Sequence, residues 1–202
     1  MTLKQWIVLS VLACALSSTG VTLAADLSVN GHIRSGGACD VALGNGGVAD
    51  FGNVSRKENF PTSHHVFSRN IPLAINCQHP TKVGLDVIDN RKGTAPKDRP
   101  YYFGLGNPAI GCYTINNNTF FQVDGKKGYR IGRWKGETTW QGMGVWSQDA
   151  TYSWDLGGPQ SEPVAFEALT GTLNITVNPR YDSVFTDELE FDGSATLELV
   201  YL

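Results

Sequence analysis

Basic residues are few and scattered. Sixteen Lys plus Arg face nineteen Asp plus Glu, a net charge of -3 with no basic block, so the chain lacks the electrostatic footprint that holds nucleic acid. Histidine is scarcer still. His32, His64, His65 and His79 stand at no spacing with one another or with cysteine that suits zinc, and neither a metal nor another cofactor is expected. No G-x-S-x-G occurs. The carboxylates Asp187, Glu188, Glu190 and Asp192 crowd one short segment, which reads as a solvated acidic edge rather than a general acid and base. These absences point away from an enzyme. Gly104-x-Gly106 and the series Gly125, Gly128 and Gly132 open no long helix after a strand, so they read as turns rather than phosphate loops. Long apolar runs are also missing beyond residue 24, where about 20 residues would be needed to cross a bilayer.

What is present favours short strands. Hydrophobic residues make up 41% and charged residues 17% of the 202 residues, which excludes both a solvated tail and a run of membrane spans. Twenty-three Gly and nine Pro punctuate the sequence. At the N-terminus, Lys4 followed by the apolar stretch Trp6–Leu16 and the small residues before Ala24 read as a signal peptide, residues 1–24. A lipid-anchored alternative at Cys14 has a poor lipobox. Removing 24 of 202 residues leaves an exported chain of 178. Export would put Cys39, Cys77 and Cys112 in an oxidising compartment, where three pairings are open.

In the mature chain Leu27, Val29 and Ile33 alternate with polar residues, with Gly31 on the apolar side, so Asp26–Arg34 reads as a strand with one greasy face. Further strands are expected over Val48–Phe51, Ile71–Cys77, Val83–Ile88, Tyr101–Leu105, Cys112–Val123, Tyr129–Trp134, Leu173–Val177 and Ala195–Leu202. Ser161–Leu169 is compatible with a short helix or a strand. The segment 91–150 is the least regular. With no repeat and no linker, this spacing predicts one all-β domain, an antiparallel sandwich.

The alternating strand Leu27-x-Val29-x-Gly31-x-Ile33, then Cys39, then Ile71-Pro72-Leu73-Ala74-Ile75-Asn76-Cys77, and the terminus Ala195–Leu202 with its penultimate Tyr201 together resemble the subunits of chaperone–usher pili. The run Cys77–Leu85 with Asp89-Asn90-Arg91 is similar in particular to a fimbrial-like group known as a domain of unknown function. The resemblance implies an incomplete, pilin-type immunoglobulin-like sandwich over residues 39–202, lacking its last strand. It implies a Cys39–Cys77 disulfide, contributing about 4 kcal/mol on a chain-entropy argument. An extension over 25–38 would donate its strand, through Leu27, Val29, Gly31 and Ile33, to a neighbouring subunit. The C-terminal strand, through Leu197, Leu199, Tyr201 and Leu202, would be held by a periplasmic chaperone. An outer-membrane usher, other pilus subunits and a location first in the periplasm and then in a surface fimbrium belong to the same implication. One departure is the C-terminal glycine, Gly193 here, with Leu189 at the position about fourteen residues from the end.

Four tryptophans, Trp134, Trp140, Trp146 and Trp154, fall within 21 residues. Exposed rings stack on sugar faces, so these are candidate glycan contacts, and a self-contained exported carbohydrate-binding sandwich is the alternative function. Core packing is the competing reading of the same residues.

Overall fold

The structure is a computed structural model that describes residues 38–52, 67–97, 99–117, 120–157, 161–180 and 190–202. The chain divides into two compact units, residues 1–34 and 35–202, and every described residue lies in the second. The expected signal peptide and the strand carrying Leu27, Val29, Gly31 and Ile33 lie outside the described residues.

Eleven strands form among the described residues: β1 (Cys39–Leu43), β2 (Phe67–Thr81), β3 (Val83–Asp89), β4 (Phe103–Gly104), β5 (Gly111–Asn116), β6 (Phe121–Val123), β7 (Lys126–Trp134), β8 (Gln141–Gly142), β9 (Ala150–Asp155), β10 (Phe166–Pro179) and β11 (Ala195–Tyr201). All pairings are antiparallel, along the path β1-β2-β10-β6-β7-β9-β3-β11, with β5 also on β10, β4 on β5 and β8 on β7. The all-β antiparallel class read from the sequence is the class that forms. The two layers are not separate sheets, however. Residues 126–128 of β7 pair with β6 while 129–134 pair with β9, so this strand carries the ladder round a corner and the sheet curls about one core, closer to a barrel open along one seam than to a sandwich.

Several local expectations change for identifiable reasons. The apolar run Cys112–Val123 is two strands, both lying along β10, β5 at 174–179 and β6 at 169–170. Between those stretches sits Gly171, where a Cβ would overlap the Phe121 ring. The hairpin from β6 to β7 turns through Asp124 (φ 47°) and Gly125 (φ 75°), the Asp-Gly pair that a two-residue primed turn selects. Gly128 and Gly132 are strand residues of β7 rather than turns. In Ser161–Leu169 no helix forms. The helix-like spacing of Phe166 and Leu169, both buried, arises from a bulge between Phe166 and Ala168. The Asp124 carboxylate closes that bulge, accepting hydrogen bonds from the Glu167 and Ala168 N–H groups at 3.1 and 2.8 Å. Val48–Phe51 is irregular rather than a strand, and Tyr101–Leu105 shrinks to the two residues of β4.

Strand β9, unassigned in the sequence reading, is enclosed along its whole length. All six of its residues are buried. Its Tyr152 and Trp154 enter the core, while Thr151 donates to Asp86 Oδ1 (2.6 Å) and Ser153 to the Val83 carbonyl (2.7 Å). Satisfying those hydroxyls is what lets a polar, non-alternating segment sit inside. The core joins both halves of the sheet: Leu73 and Ile75 of β2, Leu169 and Leu173 of β10, Leu85 and Val87 of β3, with Trp154 against Phe121 and Phe166.

Candidate functional site

The two ends of the strand path are β1 and β11, and each pairs on one side only. β1 matches Cys39–Leu43 to Cys77–Leu73 of β2, and β11 matches Ala195–Tyr201 to Asp89–Val83 of β3. No described strand lies on the outer edge of either. Burial along these strands differs from that of their neighbours: Val41, Leu43, Leu197 and Leu199 point towards the core yet are only half-buried, whereas Ile75 of β2 and Leu85 of β3 are fully enclosed. The alternation written in the sequence is thus present in β11 and is matched in β1, and among the described residues neither inner face is fully covered.

Two contacts bracket the seam. At one end the Tyr201 hydroxyl accepts a hydrogen bond from the Cys39 N–H at 2.9 Å. At the other, Phe51 and Phe191 meet with ring centroids 6.0 Å apart. β1 and β11 therefore run in opposite directions across the seam. The Tyr201 side chain with its hydrogen bond spans the seam at that end. A seam of this kind can take up one extended strand, antiparallel to one edge and parallel to the other, against the apolar lining of Val41, Leu43, Leu197 and Leu199.

The Cys39–Cys77 disulfide forms beside the Tyr201 contact, with S–S 2.05 Å, and ties the first residue of β1 to β2. Cys112 is unpaired and buried, and burial pushes its thiol up to about 11, which leaves almost no thiolate at neutral pH.

The residues singled out in the sequence separate in space. Leu197, Leu199 and Tyr201 do line one edge, and Leu202, exposed, ends it with its N–H on the Lys82 carbonyl (3.1 Å). Val41 and Leu43, on the facing edge, escaped the sequence reading because β1 is too short to display a period. The tryptophans do not form one surface. Trp146 and Trp154 are completely enclosed, Trp146 against Tyr152 at 4.5 Å, and a ring without an exposed face cannot stack on a sugar. Trp140 is buried beneath the Arg133 guanidinium, 4.8 Å from its centroid, and Trp134 alone of the four is half-buried. The acidic segment ends in an exposed Glu190 and an Asp192 ion-paired to Arg91 at the surface; Asp187 and Glu188 lie outside the described residues. No group of three or more potential metal ligands occurs among the described residues.

No curated protein matches the chain. Residues 27–132, a stretch that begins at the candidate donor strand and runs through the first six strands into β7, match a family described as a protein of unknown function, DUF1120, and the chain belongs to that family.

Proposed function

We propose that this protein is a structural subunit of a surface fimbria, exported through the periplasm and assembled by exchange of strands between chains. The observation that carries the proposal is the seam between β1 and β11: two sheet edges with no described strand on their outer sides, bridged at one end by the Cys39 N–H hydrogen bond to the Tyr201 hydroxyl and lined by half-buried Val41, Leu43, Leu197 and Leu199. An exposed edge of this kind invites aggregation unless another chain covers it. A periplasmic chaperone would supply the covering strand during transit. The usher would then exchange it for residues 25–38 of the next subunit, whose Leu27, Val29, Gly31 and Ile33 present apolar groups at the alternate positions a groove accepts. The role is one of assembly rather than catalysis.

The test uses the mature chain with residues 25–38 deleted, so that its own extension cannot compete. Added in trans, a peptide spanning residues 25–38 should convert a self-associating protein into a monomer with a raised unfolding midpoint. The same peptide with Val29→Asp and Ile33→Asp should not, because each substitution would bury a carboxylate at a cost of several kcal/mol. A truncated chain that is already monomeric and gains no stability from the unmodified peptide would overturn the proposal.

A further inference from the structure

The hydrogen bonds at the ends of β1 and β11 fix which backbone groups face the seam. At the start of β1 the Ala38 carbonyl accepts from the Gln78 N–H at 3.2 Å, whereas the Cys39 N–H turns the other way, to the Tyr201 hydroxyl. Backbone groups of successive strand residues point to opposite sides, so those of Cys39, Val41 and Leu43 face the seam. On the side of β3, the Leu202 N–H bonds to the Lys82 carbonyl at 3.1 Å and the Ser194 carbonyl accepts from the Asn90 N–H at 3.0 Å. The same alternation turns Ala195, Leu197, Leu199 and Tyr201 of β11 towards the seam. The Tyr201 hydroxyl therefore sits on the first β1 group with which a strand laid against that edge would pair, and its side chain crosses the path of that strand.

The two ends of the seam are held differently. At the far end Phe51 and Phe191 are both half-buried, and the Arg69 guanidinium lies 5.3 Å from the Phe51 ring centroid while its Nε donates to the Asp50 carbonyl at 2.9 Å. Beside Phe191, Asp192 is ion-paired to Arg91 and its N–H bonds to the Leu105 carbonyl at 3.1 Å. The Asn90 side chain adds hydrogen bonds to Ser194 Oγ and Thr196 Oγ1 at 3.0 and 3.1 Å. Rings, an ion pair and several hydrogen bonds must part together to open that end. At the other end the tie described across the seam is the hydrogen bond of a tyrosine that is 54% exposed, and a neutral hydrogen bond in contact with water adds little net stability. The Tyr201 end is the one that opens at least cost.

We propose that the Tyr201 hydroxyl on the Cys39 N–H is a latch that closes this end of the seam, and that an incoming strand enters here once the tyrosine ring swings out. The occupant is residues 25–38 of a second copy of the chain, so the inference rests on the strand-exchange reading and adds to it a point of entry and a gate. In the occupied seam the backbone of the incoming strand takes the place of the hydroxyl. The latch bond thus belongs to the empty state alone, and its loss favours occupation.

The test uses the full mature chain carrying Val29→Asp and Ile33→Asp, so that its own extension does not compete, and a fluorescent peptide spanning residues 25–38 with the unaltered sequence. Tyr201→Phe keeps the ring and removes only the hydroxyl. Its association rate with the peptide should rise about three- to tenfold, the factor that one neutral hydrogen bond represents, and its dissociation rate should stay the same because the occupied seam lacks the bond. Without peptide, amide exchange at Cys39 followed by NMR should accelerate in the same variant, while exchange at Leu85 and Val87 of β3 does not. Arg69→Gln with Arg91→Gln, which loosens the Phe51–Phe191 end, should leave the association rate unchanged. Equal association rates with and without the Tyr201 hydroxyl, Cys39 exchange that is indifferent to it, or faster association from the arginine pair alone would each overturn the latch and leave strand exchange standing. A peptide that binds none of these chains would overturn both.

Discussion

Strand β1 depends on one covalent tie more than on its own packing. It has five residues, pairs only with β2, and its inward side chains Val41 and Leu43 are half-buried. The Cys39–Cys77 bridge closes a separation of 38 residues, which on the chain-entropy relation amounts to about 4 kcal/mol at 25 °C. Replacing both cysteines by alanine removes that constraint and leaves a short edge strand to hold by its ladder alone. For a domain of this size each kcal/mol corresponds to about 2–4 °C, so the midpoint should fall by about 8–16 °C in thermal unfolding followed by near-ultraviolet circular dichroism. The loss should also be local. Amide hydrogen exchange in Val41–Leu43 should accelerate well before exchange in Leu85–Val87 of β3, because opening β1 leaves the core of the sheet in place. A midpoint lowered by less than about 3 °C, or exchange in β1 that keeps pace with β3, would refute the argument that the bridge anchors this side of the seam.

Gly171→Ala places a methyl group on the Phe121 ring, which is fully buried and cannot move aside; a loss of about 1–3 kcal/mol is expected in urea unfolding, and a loss under about 0.5 kcal/mol would contradict the packing described. At alkaline pH, Tyr152, pushed up to about 12 by burial, and Tyr113, raised likewise, keep their protons in the folded chain while unfolded phenols ionise near pH 10. The folded state then binds more protons, so the stabilising contribution of these phenols is intact below pH 10 and is lost as pH rises from about 10 through about 12. Arg130, lowered to about 10, acts in the opposite direction, one group against two. Absorbance titration at high pH should show two late phenols that ionise only with unfolding, and all tyrosines titrating together in a folded protein would refute it.

Period-two alternation was legible because it is a local property. Leu197 and Leu199 of β11 face the core in the order the sequence writes them, and the long β2 and β3 appear where Ile71–Cys77 and Val83–Ile88 predicted strands. Where a local signal had two causes, the sequence left the element open, as over Ser161–Leu169, compatible with a helix or a strand. A bulge gave Phe166 and Leu169 a helical spacing, and β9, Ala-Thr-Tyr-Ser-Trp-Asp, showed no period because both its faces are covered. The composition and spacing of the chain determined its all-β class and the alternation of its terminal strand β11. The Cys39–Cys77 bridge is the one the family resemblance implied, while only tertiary structure decided which of four tryptophans stays half-buried, that β1 and β11 end up as facing edges, and that Arg130 is buried on the Met143 carbonyl. Each of these depends on residues far apart in the chain, as with Cys39 beside Tyr201 across a separation of 162 residues, and contacts of that range are set by how the sheet curls rather than by any pattern a short stretch of sequence can carry.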